Sequence, residues 1–79
     1  MNLEKLKIIM ENSGVNRFSY CINSKKMKDD AYHIRFENGI WDVFYMEREK
    51  KSMFGSFISE EEACKCYLEI VQKDLGIKL

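Results

Sequence analysis

Proline is absent, so every tight turn must be made by Gly, Asn, Asp or Ser, and only four glycines are available. Charge of one sign is also missing. Thirteen basic residues balance thirteen acidic ones, which removes any general electrostatic pull toward nucleic acid. No apolar run approaches the length of a membrane span. The N-terminal stretch from Met1 to Lys7 alternates charge around two leucines and reads as no signal peptide, so a cytoplasmic location is expected.

Chemistry-bearing residues are scarce. Histidine occurs once, as His33, with no ligand or base partner at a recognisable spacing. The three cysteines, Cys21, Cys64 and Cys66, are an odd set in a reducing compartment, which argues against a disulfide framework. Cys64 and Cys66 fall two apart on an expected helix and diverge by about 200°, which excludes a shared metal. No Gly-rich phosphate loop, CxxC pair or nucleophile with a base is present. These absences predict no enzyme activity, no cofactor and no metal.

What is there suits a small globular domain. Seventy-nine residues, 46% of them hydrophobic, make one domain over residues 1–79. A chain this short buries roughly 60% of its unfolded surface. An apolar stripe of Leu3, Leu6, Ile9 and Met10 predicts a first helix over residues 2–13, capped by Asn2 and stopped by Gly14. Residues 15–22 read as a first strand. Residues 23–30 form a polar loop in which five of eight residues are charged. Residues 31–37 and 40–47 are two further strands around Asn38-Gly39, the strongest short hairpin signal.

That two-residue turn fixes a register. Glu37 faces Ile40, Phe36 faces Trp41, Arg35 faces Asp42, Ile34 faces Val43, His33 faces Phe44, and Tyr32 faces Tyr45. Alternation then gathers Tyr32, Ile34, Phe36, Trp41, Val43 and Tyr45 on one apolar face, the expected core side. The opposite face carries Ala31, His33, Arg35, Glu37, Ile40, Asp42, Phe44 and Met46. A charged turn at residues 48–51 leads to a fourth strand over residues 52–58. A three-residue turn puts Met53, Gly55 and Phe57 inward; a two- or four-residue turn selects Phe54, Ser56 and Ile58. The first is preferred because it buries Phe57.

Ser59 with Glu62 matches a capping box and predicts a second helix from Glu60. Its buried stripe is Ala63, Tyr67, Ile70, Val71 and Leu75, with Leu68 at the margin. Residues 75–79 form a short tail. The expected fold is α+β: an N-terminal helix, a four-stranded antiparallel meander and a C-terminal helix, both helices on one sheet face.

The second sheet face is the most suggestive surface. Ile40, Phe44 and Met46 are large apolar residues set among Arg35, Asp42 and His33, and an exposed group of that kind needs a reason. Three alternatives stand: recognition of another protein, burial against a second copy in a homodimer, or cover by a loop or tail. Under the first, Ile40, Phe44 and Met46 are anchors, while His33, Arg35 and Asp42 set specificity. The lysines Lys25, Lys26 and Lys28, with Arg48, Lys50 and Lys51, offer a competing reading, a nucleic-acid module stacking a base on Phe44. The acidic Glu60-Glu61-Glu62 run suits the helix dipole.

One stretch carries a family resemblance. Trp41-Asp42-Val43-Phe44-Tyr45-Met46-Glu47-Arg48, the basic Lys50-Lys51, and Phe57-Ile58-Ser59-Glu60-Glu61-Glu62-Ala63-Cys64 with Tyr67-Leu68 resemble the immunity protein 59 family of bacterial polymorphic toxin systems. Tyr20 and Tyr32 sit where that pattern has aromatic residues, and the resemblance spans residues 20–68. Glu49 stands where the pattern has glycine, which leaves the following turn open. The resemblance implies a cytoplasmic protein that neutralises a cognate toxin domain by binding and occluding it, without catalysis. It supplies no binding residues of its own.

Overall fold

Asn2 accepts a hydrogen bond from the Lys5 amide at 2.9 Å and starts helix α1, Leu3–Asn12. A single 3-10 turn at Arg17–Ser19 precedes the short strand β1, Tyr20–Ile22. Strands β2, Ala31–Glu37, β3, Ile40–Glu47, and β4, Lys50–Phe57, follow, and helix α2, Glu60–Leu75, closes the chain. The computed structural model describes residues 1–77. Of the expected tail, Ile77 is buried in the core, while Lys78 and Leu79 lie outside the described residues.

The architecture is the expected α+β arrangement with strand order β1-β2-β3-β4. The hairpin register holds at every expected pair, from Glu37–Ile40 to Tyr32–Tyr45. Asn38 and Gly39 both take positive φ, 54° and 78°, as the two-residue turn requires. Core residues Ile34, Trp41 and Val43 from the sheet meet Leu6 and Met10 of α1 and Ala63, Cys64, Tyr67, Leu68 and Val71 of α2. The buried Tyr67 hydroxyl donates to the Tyr32 carbonyl at 2.8 Å, and the Tyr32 hydroxyl donates to Asp74 at 2.9 Å. Ser59 accepts from the Glu62 amide, and Glu60 accepts from the Leu3 amide at 2.9 Å. The acidic helix start thus fastens α1 to α2.

Two expectations are corrected. The sheet is mixed, because β1 pairs with β2 in parallel, Cys21 opposite His33. Parallel neighbours cannot be joined by a hairpin; the connection must travel back across a sheet face. Residues 23–30 do so, on the side away from the helices. Left-handed kinks at Asn23 (φ 50°) and Asp30 (φ 56°) bound this crossing, at residue types whose short polar side chains tolerate that conformation. Residues 15–19, expected in the strand, form the lead-in and the 3-10 turn instead.

The second correction concerns β4. Its turn has two residues, Arg48 and Glu49, both with positive φ, 49° and 64°. A bulge then inserts Phe54 between Met53, opposite Phe44, and Gly55, opposite Val43. Ser52 and Phe54 therefore share the helix side before the bulge, where Phe54 stacks near Tyr32, and Gly55 and Phe57 share it after. Met53 and Ser56 face the other way. The Phe57 ring lies so close over Gly55 that an added Cβ would sit 2.8 Å from it.

Candidate partner-recognition surface

The crossing loop divides the face on which all six expected interface residues lie. His33 and Phe44 are each 1% exposed and Met46 is also buried, together with Cys21 and Ala31. These three are not available to a partner, which corrects half of the expected interface. Of the alternatives for that face, cover by a loop applies to this half. The physical cause is the parallel β1: its return path lies over these side chains. Burying the apolar Phe44 and Met46 side chains stabilises the fold by about 1.5–3 kcal/mol each.

The buried half is ordered by specific bonds. His33 and Phe44 stack with ring centres 4.9 Å apart and planes 2° from parallel. His33 Nε2 lies 2.9 Å from the Lys28 carbonyl. A carbonyl only accepts, so Nε2 carries the proton. The Cys21 thiol reaches the Lys26 carbonyl at 3.6 Å, and the Asp30 amide donates to the Met46 carbonyl at 2.7 Å. Lys51 Nζ sits 4.7 Å over the Phe44 ring. The crossing loop reaches the His33–Phe44 stack through the Lys28 carbonyl and β4 through the Lys51 ammonium, while the Lys28 ammonium lies over the Phe18 ring.

Burial lowers the His33 pKa below its ordinary 6.5; the nearby charges of Arg35, Lys28 and Lys51 push the same way, and the Lys28 carbonyl bond opposes them. As pH falls, the unfolded chain takes this proton before the folded chain does. The contribution to stability is complete above about pH 6.5 and is lost as pH drops from there toward the folded value. The midpoint of thermal unfolding should fall between about pH 7.5 and pH 5. His33→Gln keeps a donor for Lys28 without titrating and should show a smaller fall. An equal fall in both proteins would remove His33 as the cause.

The other half of the face is open, at the end of the sheet where the Asn38-Gly39 turn lies. Arg35 and Asp42 are half-buried and Ile40 is exposed. Arg35 Nε pairs with Glu37 at 3.1 Å, and Asp42 accepts from the Ser56 hydroxyl at 2.7 Å. Two further apolar residues are exposed near this end of the sheet, Phe36 on its opposite side and Ile58 after β4. Phe36, assigned to the core by alternation, is 47% exposed and leans on Trp41 with ring centres 4.8 Å apart. It lies on the helix side of the sheet but past the helices' cover. Ile58, just beyond β4, is 84% exposed. It precedes the Ser59 cap, where an apolar residue often packs back on the helix, yet here it faces solvent. That unused position is the sequence signal for Ile58; none marks Phe36.

Burial, with the Glu60 charge, pushes the Cys64 thiol up to about 11, and burial raises Cys66 as well. Neither is poised as a nucleophile. Among the described residues, no three of His, Cys, Asp and Glu converge on a metal position, and no helix is long and apolar enough to cross a membrane. Comparison with family models, curated proteins and solved structures gave no match for this chain.

Proposed function

We propose that this chain is a binding module without catalysis: a cytoplasmic immunity protein that neutralises a cognate bacterial toxin by occluding it. The observation that carries the reading is the exposure of Ile40 and Ile58 at the hairpin end of the sheet, near Arg35 and Asp42, with Phe36 exposed on the opposite side of the same end. Aromatic and aliphatic anchors framed by a few polar groups are the usual make-up of a protein-recognition patch. The motif resemblance over residues 20–68 supports the toxin as partner.

The test is co-expression with the C-terminal domain encoded by the gene immediately upstream, scored by growth and by co-purification. Rescue with a stable complex is the expected result. Ile58→Asp combined with Ile40→Asp should then weaken the complex by about tenfold or more without unfolding the chain. Unchanged affinity would remove the patch as the interface, and absence of both toxicity and complex would remove the immunity reading.

The Arg17 and Lys28 cations gathered at the exposed Phe18 ring favour a second reading, a nucleic-acid module. Its expected stacking ring, Phe44, is buried under Lys51, which weakens it. Oligonucleotide affinity falling steeply with salt would revive this reading.

A further inference from the structure

Away from the hairpin end, a cleft of about 300 Å³ opens between α1, the 3-10 turn, β1 and the crossing loop. Lys7, Arg17 and Lys28 line it, against a single carboxylate, Glu11. None of the three cations forms an ion pair with a described residue. Phe18, 62% exposed, stands beside the cleft with the Arg17 guanidinium 5.2 Å and the Lys28 ammonium 5.9 Å from its ring centre. Three cations around one carboxylate leave the cleft with a net positive charge, which favours an anionic occupant.

Strand β1 forms one wall of this cleft, and it is the edge of the sheet. The Asn23 amide donates to Ile34 at 2.7 Å, toward β2. Peptide groups alternate along a strand, so the N–H and C=O of Ile22 point away from β2, into the space beside Lys7 and Arg17. An unpaired strand edge accepts an extended chain by main-chain hydrogen bonding. Nucleic acid could use the cations and the Phe18 ring but not the strand edge.

We infer that the β1 edge receives an extended acidic segment of a partner protein, which adds a strand beside Ile22 and sets a carboxylate among Lys7, Arg17 and Lys28. This rests on the protein-partner reading but uses a surface separate from the hairpin-end patch. The occupant is defined by two requirements, a free main chain and negative side chains at alternate positions. Phe18 covers an apolar side chain of the same segment.

The experiment titrates the isotope-labelled full chain with the capped hexapeptide acetyl-Val-Glu-Val-Glu-Val-Glu-amide, following the Ile22 amide by NMR. Expected are a saturable shift and slower hydrogen exchange at Ile22, sensitive to salt. The matching lysine peptide should leave Ile22 unmoved. Arg17→Glu with Lys28→Glu should weaken the glutamate peptide about tenfold, with Ile34 and Val43 amides unchanged as evidence of folding. No response at Ile22, an equal response to both peptides, or tighter saturation by a single-stranded hexathymidylate would each overturn the inference. The probe is not the toxin, so loss of the immunity reading and loss of this site are separable results.

Discussion

Phe44→Ala should destabilise the chain by about 3–5 kcal/mol in chemical denaturation. That is a large share of the roughly 4–12 kcal/mol expected for a domain of this length. On an open sheet face the same truncation would cost little and would affect partner binding instead. In this structure Phe44 is 1% exposed, stacked on His33 and roofed by Lys51 and the crossing loop. Removing the ring leaves a cavity and strips His33 of its stacking partner. Ile58→Asp, at an 84% exposed site, is the control and should change stability by less than about 0.5 kcal/mol. A Phe44→Ala cost as small as the control's would mean that the loop does not seal this face.

Replacing Arg48 by Asn and Glu49 by Gly should have the opposite effect, raising stability by about 1–2 kcal/mol. The β3–β4 turn holds both residues at positive φ, 49° and 64°, where a Cβ crowds the following carbonyl. The β2–β3 turn solves the same geometry with Asn38 and Gly39. The Glu49 amide accepts no help from its side chain; it donates to Asp29 at 3.3 Å, a bond that glycine keeps. Part of the gain is offset because glycine also frees the unfolded chain. Each kcal/mol corresponds to roughly 4–8 °C in Tm for a domain of this size, so differential scanning calorimetry resolves it. A Tm that does not rise would show that Asp29 and the strand pairing already absorb the strain.

Both results bear on how the fold is specified. The β4 turn is poor in local signal, and the chain reaches the right faces there by adding a bulge. A two-residue turn would have carried Phe57 to the loop side. The extra residue at Phe54 returns Gly55 and Phe57 to the helix side, where Phe57 packs against the core. Hydrophobic burial of one aromatic ring, worth about 1.5–3 kcal/mol, outweighs the disrupted ladder. Turn counting alone selects either register but not a switch between them.

The parallel β1 was hidden for a related reason. A polar eight-residue linker between two apolar segments is compatible with a hairpin loop or with a crossing. Its direction is decided by what it can cover, and that depends on β3, which comes later in the chain. Once β2 and β3 pair, Phe44, Met46 and His33 present an apolar surface, and the loop gains more by lying on it than by turning back. The His33 imidazole then supplies the bond that holds Lys28 in place.

The sequence by itself determined the elements whose signals are local. Asn38-Gly39 and strict alternation set the β2–β3 register to the residue. Asn2 and Ser59 placed the helix starts, and the stripes through Leu6–Met10 and Ala63–Tyr67–Val71 chose the faces they bury. Tertiary structure alone decided the rest: the parallel edge strand, the bulge at Phe54, the covered and open halves of one sheet face, and the cationic cleft beside Ile22. Each of these depends on a balance between burial and backbone pairing among segments far apart in the chain. Such a balance exists only once the sheet has formed, and no window of sequence contains both of its sides.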